Sequence, residues 1–438
     1  MQNPTRIHPL FLKLFLIGVL TLLLLVPLLR VEALIAERSL KRADALAHVA
    51  SAVGHAQQIG AVLLNVPVSR SWIVEGKAYA ETREYRLLAR TVNIGAVVET
   101  GERRSGIYTV PAFQAKLTIG GVLATDALQE ALAPEPGVTK RIGTPQLVVA
   151  ISDPAGIRAF DGIRVNGRSL RVQAASAGDL RGVGANLAAV DVDQAQDLEF
   201  SFELQVSGTE RLQFLPLAET TKVDMNSSWP SPSFSGAYGP QPAANVTNRG
   251  FAAGWQVLQV NRDYPQLWTG EAVTAGQIAR SAFGVDFYQP VDTYQRNYRA
   301  IHYAFLFIAL TFMVLYLTEV VLGRPLHPVQ YGMTGAALAV FYLVLLALSE
   351  HLAFGGAYAA AAGALALLLA VYYSGALRSV RAGAVTGAVS GASFALLYLL
   401  ILSEDYALLF GALSIFGVLA AIMIATRKLD WYRLGAGT

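Results

Sequence analysis

The charges between the apolar segments of the C-terminal third are sorted by sign, and no other feature of this chain constrains its folding as strongly. Five apolar stretches run from about Ala300 to Leu322, Tyr331 to Ser349, Phe354 to Tyr373, Ala384 to Ser403 and Tyr406 to Ala425. One set of connections is basic: Arg324, then Arg378 and Arg381, then Arg427, Lys428 and Arg433. The other set carries Glu350 with His351, and Glu404 with Asp405, and no Lys or Arg. Folding in water gives no reason for such sorting. Crossing a bilayer does, because basic loops stay in the cytoplasm. Each stretch is about 20 residues, which at 1.5 Å per residue matches a hydrocarbon slab of ~30 Å.

A sixth apolar stretch, Leu10 to Leu29, is interrupted by Lys13. Arg6 and Lys13 resemble the basic start of a signal peptide. The run is too long for a signal core, however, and no A-x-A site follows it, so it reads as a retained anchor. Six spans place both termini in the cytoplasm and residues 30–299 outside, in a bacterial periplasm. Arg30, Arg38, Lys41 and Arg42 after the first span, and Arg296 and Arg299 before the second, point the other way. Long translocated domains largely escape the charge rule, so the short C-terminal connections govern. The expected division is a cytoplasmic segment 1–9, spans at 10–29, 300–322, 331–349, 354–373, 384–403 and 406–425, an outer domain at 30–299, and a cytoplasmic tail at 426–438.

The net charge of +3 is explained by the cytoplasmic loops and gives no argument for nucleic acid. There is no cysteine, which excludes disulfides, thiolate catalysis and thiolate-bound metal. A domain of 270 residues buries enough surface to fold without such staples.

Within the outer domain, residues 31–54 have helical spacing: Leu34, Ile35, Leu46, Val49, Ala50 and Val53 recur among Glu37, Arg38, Lys41 and Arg42, as in a stalk continuing the first span. Beyond it the period becomes two. Residues 198–206 alternate throughout, and Ala115, Leu117 and Ile119 alternate with Gln114, Lys116 and Thr118. Leu147 to Ile151 is continuously apolar, as in a strand covered on both faces. Asn166-Gly167 between short alternating runs is a hairpin signal. The domain is therefore expected to be mostly antiparallel β, a sandwich or a curled sheet. From Asn226 to Gly250 regular structure is expected to stop in a long Pro/Ser/Gly loop bearing Trp229, Phe234 and Tyr238. Its aromatics argue for an ordered loop packed on the sheet. The candidate recognition residues are Trp229, Pro230, Ser231, Phe234 and Gly236.

Leu346-Ala-Leu-Ser-Glu350 recurs 54 residues later as Leu400-Ile-Leu-Ser-Glu404, which resembles two tandem helical hairpins of the kind some transporters use. The ladder Gly383, Gly387, Gly391 reads as close helix packing. Glu319 is the acid expected within the membrane slab, where ionisable residues are rare and usually functional. An interfacial position beside Arg324 is the alternative. Glu350, His351, Glu404 and Asp405 would gather at the outer face, either as wet hairpin caps or as a proton- or cation-responsive site. Catalytic patterns are missing. There is no His-Glu-x-x-His, no phosphate loop and no base for Ser390, and His48 and His55 are too few for a metal site. The chain is read as non-enzymatic, with no metal and no cofactor.

Several longer motifs resemble the CreD family, associated with cell-envelope integrity. In the membrane half these are Arg296-Asn-Tyr-Arg299, His327-Pro-Val-Gln-Tyr331, Phe341-Tyr-Leu343, Leu348-Ser-Glu-His351, residues 403–409 and Thr426-Arg-Lys-Leu-Asp-Trp-Tyr432. In the outer domain they are Ile35-Ala-Glu-Arg38, residues 229–236 and Gly250-Phe-Ala-Ala-Gly-Trp255. Ser231 and Ala61 depart from the family pattern, which more often has His and Pro there. The resemblance implies an inner-membrane protein under the Cre sensor kinase and response regulator, linked to β-lactam response and envelope maintenance. It implies no biochemical activity. The expected role is a scaffold or sensor whose β domain engages an envelope protein or cell-wall component, the other partner being the lipid bilayer. A small transporter using Glu319, Glu350 and Glu404 is the alternative.

Overall fold

The computed structural model describes residues 9–188, 197–287, 293–322, 324–403 and 407–427. Among them are ten α-helices: α1 Pro9–Leu23, α2 Leu25–Val53, α3 Asp126–Leu132, α4 Ala275–Arg280, α5 Thr293–His302, α6 Ala304–Leu322, α7 Pro328–Ser349, α8 Phe354–Ala376, α9 Val380–Leu402 and α10 Ala407–Thr426. The chain divides into two compact units, one of Met1–Arg42 with Val291–Thr438 and one of Ala43–Pro290.

The first unit is helical. Among the described residues, four stretches are long and apolar enough to cross a membrane: Phe15–Val53, which runs through α1 and α2 and on past the end of this unit, and Pro328–Ser349, Phe354–Ala376 and Val380–Leu402. The break between α1 and α2 lies at Leu24, three residues before Pro27. Proline has no N–H for the Leu23 carbonyl, and its ring crowds that turn. The span expected from Ala300 to Leu322 falls mostly on α6, and a 47° bend separates α6 from α5 before it. The two helices differ in composition. In α5, Tyr294, Asn297, Ala300 and Ile301 form one buried stripe while Gln295 and Tyr298 face outward. By contrast α6 is apolar apart from Thr311, Thr318 and Glu319.

Helices α8 and α9 approach closely because two glycines allow it. A Cβ at Gly383 would lie 2.4 Å from the Ala370 carbonyl oxygen, and one at Gly387 would lie 2.6 Å from the Ala370 Cβ. At Gly391 the same test gives an ordinary 3.8 Å contact, so only the first two rungs of the ladder are obligatory. Tyr358 of α8 locks the pair by donating to the Phe394 carbonyl of α9 at 2.6 Å.

The second unit is a curled, mostly antiparallel sheet, a half-barrel. Strand Lys77–Ser105 organises it. Its first part pairs with Gln57–Val74 and its later part with Tyr108–Leu123, through tight turns at Glu75-Gly76 and Gly106-Ile107. Among the described residues two pairings are parallel, Gln57–Val74 with Arg211–Leu215 and Lys77–Ser105 with Ala218–Ser227. The period-two reading holds: Leu198–Thr209 alternates buried and exposed from Leu198 to Val206. The continuous apolar run is covered on both faces. Leu147, Val149 and Ile151 enter the main core, while Val148 and Ala150 enter a second one with Trp268 and Ile278. Asn166 and Gly167 both have positive φ and turn the hairpin between Ile163–Val165 and Arg168–Leu170.

A dense polar network fixes the end of α2 to this sheet. Arg158 donates to the carbonyls of Ala52 (3.2 Å) and Val53 (2.7 Å), placing a cation where the helix exposes unpaired carbonyls. Ser207 also donates to Val53, and Thr209 to Gly54 at 3.2 Å. Gly54 turns the chain with φ +119, and a Cβ there would meet the Ser207 carbonyl at 2.5 Å. Next in sequence, His55 contacts Asp153 through its backbone N–H (2.9 Å) and Nδ1 (2.8 Å). Burial opposes the ionised Asp153 carboxylate, but these bonds and one from the Ala155 N–H outweigh it and hold its pKa below the usual aspartate range.

Two outcomes follow. Gly387→Leu should destabilise the α8–α9 pair by about 1–3 kcal/mol, read as a lower denaturation midpoint in detergent, whereas Gly391→Ala should change little. A depressed native pKa contributes stability that is complete above the unfolded value of ~3.9 and is lost as pH falls through the native one. Melting of the β domain should therefore drop on acidification below pH ~4, with a smaller drop in Asp153→Asn.

Candidate functional site

Glu319 lies on α6 among apolar neighbours and is 8 % exposed. A carboxylate so placed needs a counter-charge and donors. Lys13 of α1 supplies the charge in a direct ion pair, and the Tyr331 hydroxyl of α7 donates to the other carboxylate oxygen at 2.9 Å. Lys13 also donates to the Leu326 carbonyl at 2.6 Å and sits over the Tyr331 ring. Beside this cluster the Thr334 and Tyr373 hydroxyls bond at 2.6 Å. One acid thus ties together α1, α6 and the start of α7. Arg324, the neighbour named in the interfacial alternative, donates its backbone N–H to the Glu319 carbonyl at 3.3 Å, while its guanidinium donates to the Leu377 carbonyl at the end of α8. The partner missed was Lys13, and its signal was a single cation interrupting an apolar run.

Glu350 caps α7 and is likewise occupied. Arg38 of α2 lies 3.5 Å from its Oε1, and the Tyr294 hydroxyl of α5 lies 3.4 Å from the same oxygen. One residue earlier, Ser349 accepts from Asn297 at 2.9 Å. His351 is exposed. Glu404 and Asp405 lie outside the described residues. Lys13 and Arg38 are 25 residues apart, which is about 37 Å of helix at 1.5 Å per residue. Cation–acid contacts therefore bracket a segment of about one membrane thickness.

The loop following Asn226 is ordered, with two short strands that the sequence did not announce. Ser233–Gly236 pairs with Phe283–Asp286, and Asn245–Thr247 pairs with Gly250–Leu258. Its aromatics are spent on packing. Trp229 meets Phe287 edge-on at 6.3 Å, Phe234 meets Phe251 at 5.5 Å and Trp255 at 5.9 Å, and Tyr238 meets Phe283 at 6.0 Å. Burial and nearby Asp263 raise the Tyr238 phenol's pKa above the usual range. Gly236 has φ +104, and a Cβ there would lie 2.1 Å from the Ala282 carbonyl. Of the residues picked out in sequence, Trp229 and Phe234 are half-buried, whereas Pro230, Ser231 and Gly236 are exposed.

What the loop leaves open is a shallow groove of about 430 Å³ at its two ends. Val97, Asn226, Ala252 and Asn245 lie side by side across four neighbouring strands. Arg249, Glu99, Ser228 and Phe251 are among the other residues that line it. It offers amide, hydroxyl, guanidinium and carboxylate groups over an apolar floor. That surface can recognise a polar extended ligand, and it holds no nucleophile–base pair.

The Lys13–Glu319 pair is testable by a double-mutant cycle. Glu319→Gln alone leaves a buried cation and should cost about 3–5 kcal/mol of stability. Lys13→Met with Glu319→Leu should recover most of it, measured by denaturation in detergent.

Comparison with known proteins agrees with this architecture. The model of the family described as inner membrane protein CreD matches residues 9–432. The chain is also 31 % identical over 433 residues to the inner membrane protein CreD of Escherichia coli (strain K12), covering 97 % of this chain and 94 % of that protein. A match of this extent takes in both the helical unit and the β unit, and on it the chain belongs to the CreD family of inner membrane proteins.

Proposed function

We propose that this inner-membrane protein supports cell-envelope integrity as a non-enzymatic scaffold or sensor, its β domain binding an envelope protein or cell-wall component. In this reading the chain crosses the membrane six times, both termini are cytoplasmic and the β domain is periplasmic. The observation that carries it is the contrast between the two candidate regions. Glu319 and Glu350 are engaged with Lys13 and Arg38, as structural clamps are. The groove beside Asn226 and Arg249 leaves polar side chains open above an ordered sheet. The transporter alternative loses support on the same ground, since its central acid is neutralised by a lysine of the first helix.

Crosslinking tests the partner surface. A photo-crosslinking residue at Val246, which is 47 % exposed, should give a discrete adduct in cells, lost on Asn226→Arg. A normal envelope phenotype in Asn226→Arg, combined with a lost phenotype in Glu319→Gln at normal protein level, would favour transport instead. Topology is tested separately. A reporter that is active only in the periplasm, fused after Arg381, should be silent, and activity there would overturn the six-span arrangement.

A further inference from the structure

Two connections at one end of the helical unit meet through an arginine. The first, between α6 and α7, carries Arg324. The second, between α8 and α9, carries Arg378, and Arg381 follows in the first turn of α9. The Arg324 guanidinium donates to the carbonyl of Leu377, the residue before Arg378, which sets it against the second connection. All three arginines are exposed, and none is in an ion pair among the described residues. Lys13 adds a fourth cation at this end, where it donates to the Leu326 carbonyl of the first connection. The described carboxylate there is Glu319, and Lys13 and Tyr331 already engage it. The next acid along the chain, Glu350, caps the far end of α7, a helix of 22 residues, which is about 33 Å long. Cations gathered in this way repel one another unless an anion lies among them.

Arg378 carries a second mark. Its φ is +45, in the left-handed region where a chain leaving a helix usually places glycine. The turn is closed by backbone bonds, from the Arg378 N–H to the Gly375 carbonyl and from the Ser379 N–H to the Ser374 carbonyl, both at 3.1 Å. Glycine would make the same bonds with less strain. The guanidinium is therefore not needed for the turn, and a side chain held at a strained position points to a use outside it. Sorting of charge across a bilayer calls for basic residues in these connections. It calls neither for this conformation nor for the contact between the two loops.

The surroundings favour an amphiphilic anion. Val329 and Met333 in the first two turns of α7, and Val380 at the start of α9, are exposed apolar side chains next to the same connections. A soluble anion would satisfy the charges alone, whereas a phospholipid also brings acyl chains to the aliphatic groups. Guanidinium suits its phosphate because the planar fork can donate two parallel hydrogen bonds. We propose that these two connections bind the headgroup of an anionic phospholipid, its phosphate held by Arg324, Arg378 and Arg381 and its acyl chains over the exposed starts of α7 and α9. The site belongs to the helical unit and does not rest on the scaffold reading of the groove beside Asn226.

Native mass spectrometry of the full-length protein in a neutral detergent tests this with cardiolipin, phosphatidylglycerol and phosphatidylethanolamine as probes. Glycerol 3-phosphate serves as a headgroup without chains. At least one anionic lipid should be retained about tenfold more strongly than phosphatidylethanolamine. Arg378→Gly relieves the backbone, so it should melt no lower than the parent protein, yet it should weaken anionic-lipid retention about fivefold. Adding Arg381→Gln should take the loss beyond ~tenfold, while Arg103→Gln, an exposed arginine of the β unit, should change nothing. Equal retention of phosphatidylethanolamine, unchanged retention in Arg378→Gly with Arg381→Gln, an equal loss in Arg103→Gln, or displacement of the lipid by glycerol 3-phosphate at matched concentration would each overturn the proposal.

Discussion

The helical unit depends on one buried ion pair. Lys13 and Glu319 are far apart in sequence, and each alone would be a burden in an apolar environment. Together, with the Tyr331 hydroxyl as an added donor, they satisfy each other and fix which helices are neighbours. Dispersion alone specifies helix pairing weakly in lipid, because one apolar face resembles another. A single charged contact selects one arrangement. Close packing then refines it where side chains are small enough, as at Gly383 and Gly387.

The β unit is specified differently. It is an alternating sheet with one large apolar core, and its strand Lys77–Ser105 runs on from one set of partners to another. Polar chemistry is concentrated where regular structure ends. At the end of α2 a cation, two hydroxyls and a carboxylate saturate the orphan backbone groups. At the 226–250 loop aromatics fill the space against Phe251, Phe283 and Phe287, so side chains that look like a recognition surface in sequence serve as packing. The open groove is left to polar residues, among them Asn226, Asn245 and Arg249.

The legible features were those with a local cause. Alternation at Leu198 to Val206, the apolar run Leu147 to Ile151 and the Asn166-Gly167 turn follow from strand geometry and backbone sterics acting over a few residues. The bend between α5 and α6 lies at the edge of the apolar run, where the amphipathic stripe of α5 ends, and apolar length alone does not mark it. The short strand Ser233–Gly236 was hidden because its partner, Phe283–Asp286, lies some fifty residues away. Glu319 stood out as unusual, but its partner could not be found by proximity in sequence.

Sequence by itself determined the class of molecule. Apolar length, the sign of the connecting charges and the change of period describe a membrane bundle joined to a β domain, because bilayer thickness and strand pleat act on every residue in the same way. The tertiary structure decided which polar residues are free to bind. Whether an acid is a clamp or a site depends on what lies within about 3 Å of it, and for Glu319 that neighbour is 306 residues away. The same holds for Arg86 and Trp268, which only the strand at Leu267–Thr269 sets side by side.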